Sequence, residues 1–267
     1  MESKIAAAMK FKYGPVALLW TDEKPAGALQ FKEGGWGCIM WLFANAAKGR
    51  AAVFDRKTFG CLGGGTGLGF GNQYLNWPGG IELFCYFLST GAAQIGITRE
   101  MINSRREDSI QNILHGERYV KSPELVKRFI EYMPITDIPA KYVVMKPLQD
   151  VALGKEAPVV VVFLANPDQL SALTVLANYA RESVESVIMP FGAGCHSIGI
   201  FAYREAESEK PRAVVGLLDL SARENVRKRL GKDLFTFTVP LKMFQEMESN
   251  VGESFLGKEM WQEFLAD

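Results

Sequence analysis

The strongest constraint on this chain is an internal repeat: residues 14–71 can be laid on residues 157–201. Gly14-Pro15-Val16-Ala17-Leu18-Leu19-Trp20 answers Ala157-Pro158-Val159-Val160-Val161-Val162-Phe163, and Ala44-Asn45-Ala46-Ala47-Lys48 answers Ala177-Asn178-Tyr179-Ala180-Arg181. Val53-Phe54 then answers Val187-Ile188, and Phe59-Gly60-Cys61 answers Phe191-Gly192, with Cys195 shortly after. Apolar periodicity makes any two strand–helix–strand units look alike, which explains the Val and Leu matches. It does not explain a shared Ala-Asn-x-Ala-basic string or a Gly-Cys turn at the equivalent place. The expectation is an α/β or α+β fold. A single domain, residues 1–267, would hold two pseudo-symmetric β-α-β halves, a mixed sheet and a helical middle segment.

Local signals place the elements. The first copy reads as a strand over 16–20, a helix over 38–48 stopped at Gly49, and a strand over 51–55. Middle helices are expected over 78–89, 98–108 and 123–132, the last with Ser122 as N-cap and Pro123 in the first turn. A strand over 142–148 leads to the second copy. That copy has a strand over 159–164, a helix capped by Asn166-Pro167-Asp168 and a strand over 184–189. After a strand over 214–218, Ser221-Ala222-Arg223-Glu224 reads as a capping box opening a helix to 230, and 234–239 alternates as a half-buried strand.

Composition narrows the function classes. Thirty Lys+Arg balance thirty Asp+Glu, so the formal charge is zero. A nucleic-acid binder usually carries a basic excess, and so does a protein docked on anionic lipid. The longest apolar stretch, residues 159–165, is far too short to cross a bilayer, and the run at 5–9 is too short for a secretion signal. A cytoplasmic protein with reduced thiols, no nucleic-acid or membrane partner and a small molecule or metal as its partner is expected.

The four cysteines, Cys38, Cys61, Cys85 and Cys195, form no CxxC pair, which excludes zinc-finger and thioredoxin-like spacings. Cys38 falls at a helix start, where free amides and the helix dipole favour a thiolate. Cys61 opens the most glycine-dense stretch of the chain, and Cys195 sits in a Gly-Ala-Gly setting. Three such thiols are what a soft metal ion or an iron–sulfur cluster requires, so Cys38, Cys61 and Cys195 are the candidate metal ligands. His196, Cys85 or an exogenous group would complete the set, although the apolar surroundings of Cys85 suit a core residue. Gly63, Gly64, Gly65 and Gly67 lack side chains and would let a ligand approach the backbone, which makes them the candidate cofactor-binding residues. No window of that stretch fits the phosphate-loop or dinucleotide pattern. Trp36, Trp41 and Trp77 could line a pocket for a flat ligand or fill a core. His115 reads as a turn residue, and Arg105-Arg106 before Glu107-Asp108 as a solvated face. Three readings stay open: a cysteine-held metal or cluster in a redox role, a small-molecule pocket at the glycines with a nucleophilic thiol, and a structural protein with inert cysteines.

Gly14-Pro15-Val16-Ala17, Cys38, Ala46-Ala47-Lys48-Gly49, Gly60-Cys61-Leu62-Gly63-Gly64, Asn166-Pro167-Asp168-Gln169-Leu170 and Cys195 together resemble an archaeal and bacterial family known only as domain of unknown function 169. The resemblance spans nearly the whole chain. It implies a family frequent in anaerobes and without an established activity, so it supplies no catalytic residues. Anaerobic hosts are compatible with an oxygen-sensitive cluster.

Overall fold

Residues 1–102, 107–152 and 154–265 are described by a computed structural model. Capping explains most of the element boundaries. The side chain of Ser3 accepts from Ala6 N to open α1 (Lys4–Met9), and the all-apolar run 16–20 then extends as β1 (Val16–Thr21). Cys38 occupies the N-cap of α2 (Ile39–Ala47), which leads into β2 (Ala52–Phe54). The glycine stretch is not a loop: Leu62–Gly67 is a helix, α3, with Cys61 at its N-cap. Glycine is a poor helix former in isolation, so tertiary packing stabilises this helix and local propensity does not.

Residues 72–134 form a compact unit of their own. It holds α4 (Gly80–Leu88), α5 (Glu107–His115) and α6 (Pro123–Tyr132), the last opened by Ser122 Oγ accepting from Leu125 N. An aromatic group holds it together, with Tyr74 stacked on Phe84 at 4.2 Å and Trp77 against both Phe84 and Phe87. Trp77 is therefore a packing residue. Of the helix expected over 98–108, the described residues hold a 3-10 turn at Arg99–Met101 and the start of α5; residues 103–106, with Arg105-Arg106, lie outside the described residues.

The second unit comprises residues 1–71 and 135–267. It continues with β3 (Tyr142–Pro147), β4 (Val160–Ala165), α7 (Pro167–Asn178), β5 (Val187–Ile188) and α8 (Gly194–Ile198). Then follow α9 (Ile200–Ala206), β6 (Ala213–Gly216), α10 (Leu220–Leu230), β7 (Phe235–Pro240), α11 (Leu241–Asn250) and α12 (Glu259–Phe264). Asn166 caps α7 as expected, and Gln169 completes an unexpected capping box, the two exchanging bonds of 2.8 and 3.1 Å. The capping box expected for α10 does not form. Asp219 is its N-cap, two residues ahead of Ser221, and accepts from Ala222 N at 2.8 Å.

The strands build one seven-stranded mixed sheet in the order β2-β3-β1-β4-β7-β6-β5. Neighbours are antiparallel except β5 and β6. Hence β1 runs parallel to β2, and β4 to β5, through intervening antiparallel strands. Both faces of the sheet are covered. Alternate residues such as Leu19, Val144, Phe163 and Phe237 pack with Ile5, Leu173 and Phe244 of α1, α7 and α11. The opposite face meets α2, α8 and α9, where Trp20 stands edge-on to Tyr203 at 4.9 Å.

The repeat is present in the order of elements, β1-α2-β2-α3 and β4-α7-β5-α8, but not in their placement. One strand lies between β1 and β2, and two lie between β4 and β5. A two-fold axis relating antiparallel β1 and β4 would leave α2 and α7 on the same face, whereas they cover opposite faces.

Candidate functional site

The cysteine-bearing turns lie together on the α2/α8 face. Cys61 N donates to Gly37 O at 3.0 Å, which ties the start of α3 to the residue before Cys38. Gly60 (φ +77°) makes this contact feasible, because a Cβ there would stand 2.3 Å from Gly37 O. Helix α3 in turn packs on α8. A Cβ on Gly67 would stand 2.8–2.9 Å from the backbone and Cβ of Cys195, and one on Gly199 would stand 1.9 Å from Gly67 O. The Cys195 thiol donates to Gly63 O at 3.1 Å.

Of the glycines expected to cradle a ligand, Gly64, Gly65 and Gly67 are buried in α3, and Gly63 offers its carbonyl to Cys195. At Gly64 an added Cβ would lie 2.6 Å from Ile39 Cγ2. What the glycines do in the fold is let the turns that carry Cys38, Cys61 and Cys195 touch.

The three thiols act on one another's charge, and Asp219 acts on all three. Cys38 is pushed up to about 12, chiefly by burial and then by the neighbouring Cys61, against the opposing pull of the Met40 and Trp41 amides. Burial also raises Cys61, although its sulfur faces the amides of Gly64 and Ile39; the Gly64 N–Sγ distance is 3.3 Å. Cys195 is raised well above the ordinary thiol value, by burial and then by Cys61, Cys38 and Asp219. The expected thiolate at Cys38 is therefore corrected: desolvation outweighs the helix-start amides, and all three groups are neutral thiols at pH 7.

Asp219 is the residue that sequence reasoning missed. The residue is 8 % exposed, and Oδ2 accepts from Ala222 N. An added Cβ on Gly194 would lie 3.6 Å from Oδ1, so that oxygen faces the turn carrying Cys195. Burial raises its pKa, opposed by the Ala222 and Gly194 amides and by Arg223. The guanidinium of Arg223 is itself bound to the carbonyls of Leu217, Lys232 and Leu234.

The other candidates fall elsewhere. His196 is buried in α8 with Nδ1 accepting from Ala193 N at 3.1 Å, and burial lowers its pKa to about 4, so it is a neutral helix-start brace. Cys85 is a buried residue of α4 in the 72–134 unit, and its charged neighbours are Glu82, Lys127 and Glu124. Trp36 and Trp41 pair edge-to-face at 5.6 Å, and Trp41 Nε1 donates to Asn225 O, which fastens α2 to α10. Among the described residues, no group of three or more His, Cys, Asp or Glu side chains could hold a metal ion, so the expected metal-ligand set of Cys38, Cys61 and Cys195 finds no support in the geometry. Among the same residues, no helix is long and apolar enough to cross a membrane.

Fold and site define a class: a mixed α/β protein with a sheet covered on both faces, and three protonated thiols around a buried carboxylate on one of them. The chain belongs to the family described as uncharacterised ArCR, domain of unknown function 169, which matches residues 4–250 of the 267. No curated protein and no solved structure matches it.

Proposed function

We propose that this protein binds an iron–sulfur cluster through Cys38, Cys61 and Cys195 and serves a redox role. The observation that supports the reading is the meeting of three cysteine-bearing turns, 23 and 134 positions apart in the chain, through the Cys61 N–Gly37 O and Cys195 Sγ–Gly63 O contacts of 3.0 and 3.1 Å. A cluster anchors each cysteine on a different iron and accepts wider separations. Its iron would supply electron transfer or Lewis-acid chemistry. The chain's own contribution is to crowd water from the sulfurs and to aim the amides of Ile39, Met40, Trp41 and Gly64 at them.

The competing nucleophilic-thiol reading needs a depressed pKa, and burial moves all three cysteines the other way. The test is anaerobic purification with iron and acid-labile sulfide analysis, followed by Cys38→Ser, Cys61→Ser and Cys195→Ser. Bound iron and sulfide that fall in each variant, but not in Cys85→Ser, are expected. Wild-type protein that holds neither after reconstitution refutes the reading and leaves inert, packed cysteines.

A further inference from the structure

We infer that Cys38 and Cys61 are a dithiol that a low-molecular-weight disulfide converts reversibly into a disulfide bond joining the starts of α2 and α3. The inference does not rest on the cluster reading above. The two cysteines are the N-caps of those helices. Cys61 N donates to Gly37 O at 3.0 Å, and one peptide bond separates that carbonyl from Cys38. Covalent geometry then keeps the two α-carbons within about 7 Å of each other, the reach of a disulfide. The side chains turn to the same place. The Cys38 sulfur faces the amides of Met40 and Trp41, and the Cys61 sulfur faces that of Ile39. Three successive N–H groups of one helical turn thus meet the two sulfurs, so both lie over the start of α2.

They are also the cysteines an oxidant can reach. Cys38 and Cys61 are partly exposed, whereas Cys85 and Cys195 are buried. The Cys195 thiol is besides committed to Gly63 O at 3.1 Å, and Cys85 belongs to the 72–134 unit. The exchange balances without a metal. One thiol gives up its proton and its sulfur attacks the disulfide RSSR, forming a mixed disulfide and releasing RS⁻, which takes up the proton. The second thiol gives up its proton, and its sulfur attacks the protein sulfur of the mixed disulfide, releasing a second RS⁻ that is protonated in turn. The pair is oxidised by two electrons and RSSR is reduced to two RSH; excess RSH reverses the step. Both cysteines are neutral thiols at pH 7, so the exchange is slow and equilibrium, not rate, is the quantity to read. The oxidised protein holds α2 and α3 clamped and withholds Cys38 and Cys61 from metals and electrophiles.

The full chain, metal-free and reduced, tests this after equilibration in graded mixtures of reduced and oxidised glutathione, acid quenching, alkylation and mass spectrometry. Cleavage after aromatic residues separates the Cys61 peptide from that of Cys85. A chain lighter by two hydrogens is expected, with its Cys38 and Cys61 peptides joined and Cys85 and Cys195 free. The fold holds the pair together, whereas in urea the residues between them, 39–60, leave it free to part. The midpoint of the folded protein should therefore need at least about tenfold less oxidised glutathione than that of the urea-unfolded chain. Cys85→Ser and Cys195→Ser should keep both linkage and midpoint, and Cys38→Ser should lose them. Circular dichroism checks each fold, and wild type alone decides the linkage where a variant does not fold. Joining of either cysteine to Cys195, mixed disulfides alone, or a midpoint equal to that in urea overturns the pair. Protein that holds no iron or sulfide yet forms the bond refutes the cluster reading and leaves this one standing; protein that holds a cluster but never forms the bond does the reverse.

Discussion

Replacing Gly67 by Ala tests whether α3 and α8 are packed at the limit of backbone contact. The new methyl would stand 2.8–2.9 Å from three atoms of Cys195, all of them main chain or Cβ. Ordinary carbon contacts begin near 3.5 Å, so the two helices must part by about 0.7 Å, and no flexible side chain can swing away instead. Overpacking of this kind costs about 1–3 kcal/mol. Opposing it, alanine is favoured over glycine inside a helix by about 1 kcal/mol, and by less at the last residue of a short helix. The clash wins, for a net loss of about 1–2 kcal/mol, or roughly 2–4 °C in Tm for a chain of this size. Two further variants bracket it. Gly14→Ala meets nothing within 4 Å and should change stability by less than about 0.5 kcal/mol. Gly199→Ala would put a methyl 1.9 Å from Gly67 O and should cost more than Gly67→Ala. Urea unfolding of the metal-free protein, with midpoints compared at equal slopes, measures the series. A Gly67→Ala protein as stable as wild type would show that α3 yields to its own helix propensity, and the argument for a rigid contact at Cys195 would fail.

Two other outcomes follow from the buried groups. In metal-free native protein at pH 8, alkylation of Cys38, Cys61 and Cys195 by iodoacetamide should be at least about tenfold slower than in urea, because burial raises all three thiols; one fast-labelled cysteine in the mass spectrum would revive the nucleophile reading. Glu205 is 3 % exposed and, against the opposing effect of its burial, is held below its ordinary pKa by Arg212 at 2.8 and 3.0 Å. A carboxylate depressed in the folded state stabilises it above the unfolded pKa, and that contribution fades as pH falls through the folded pKa. Glu205→Gln should therefore lose about 1–3 kcal/mol at pH 7 and narrow its gap to wild type near pH 3. A gap independent of pH would refute the charge assignment.

Much of the fold was legible because apolar runs and caps are local signals. β1 and β4 lie within a residue of their expected bounds and α7 starts where expected, since Val-rich runs extend and Asn166-Pro167 is a strong start signal. Local rules failed where two signals competed or where packing overrode propensity. Ser221 and Asp219 are both good N-caps; the Glu three residues after Ser221 favoured the wrong one, and Asp219 with it escaped notice as a site residue. The glycines after Cys61 read as a loop by composition, yet close approach to Ile39 and Cys195 makes a helix of them.

The sequence by itself determined the order of the strands and of the main helices between them, the zero formal charge and the choice of Cys38, Cys61 and Cys195 as the residues to watch. These depend on neighbours along the chain or on simple counts. Only the tertiary structure decided that β3 and β7 insert beside β1 and β4, that α2 and α7 cover opposite faces, and that the thiols are protonated. Strand order, the choice of face and desolvation all depend on groups far apart in sequence. The burial of Asp219 against the Gly194 turn, 25 residues away in the chain, is of the same kind.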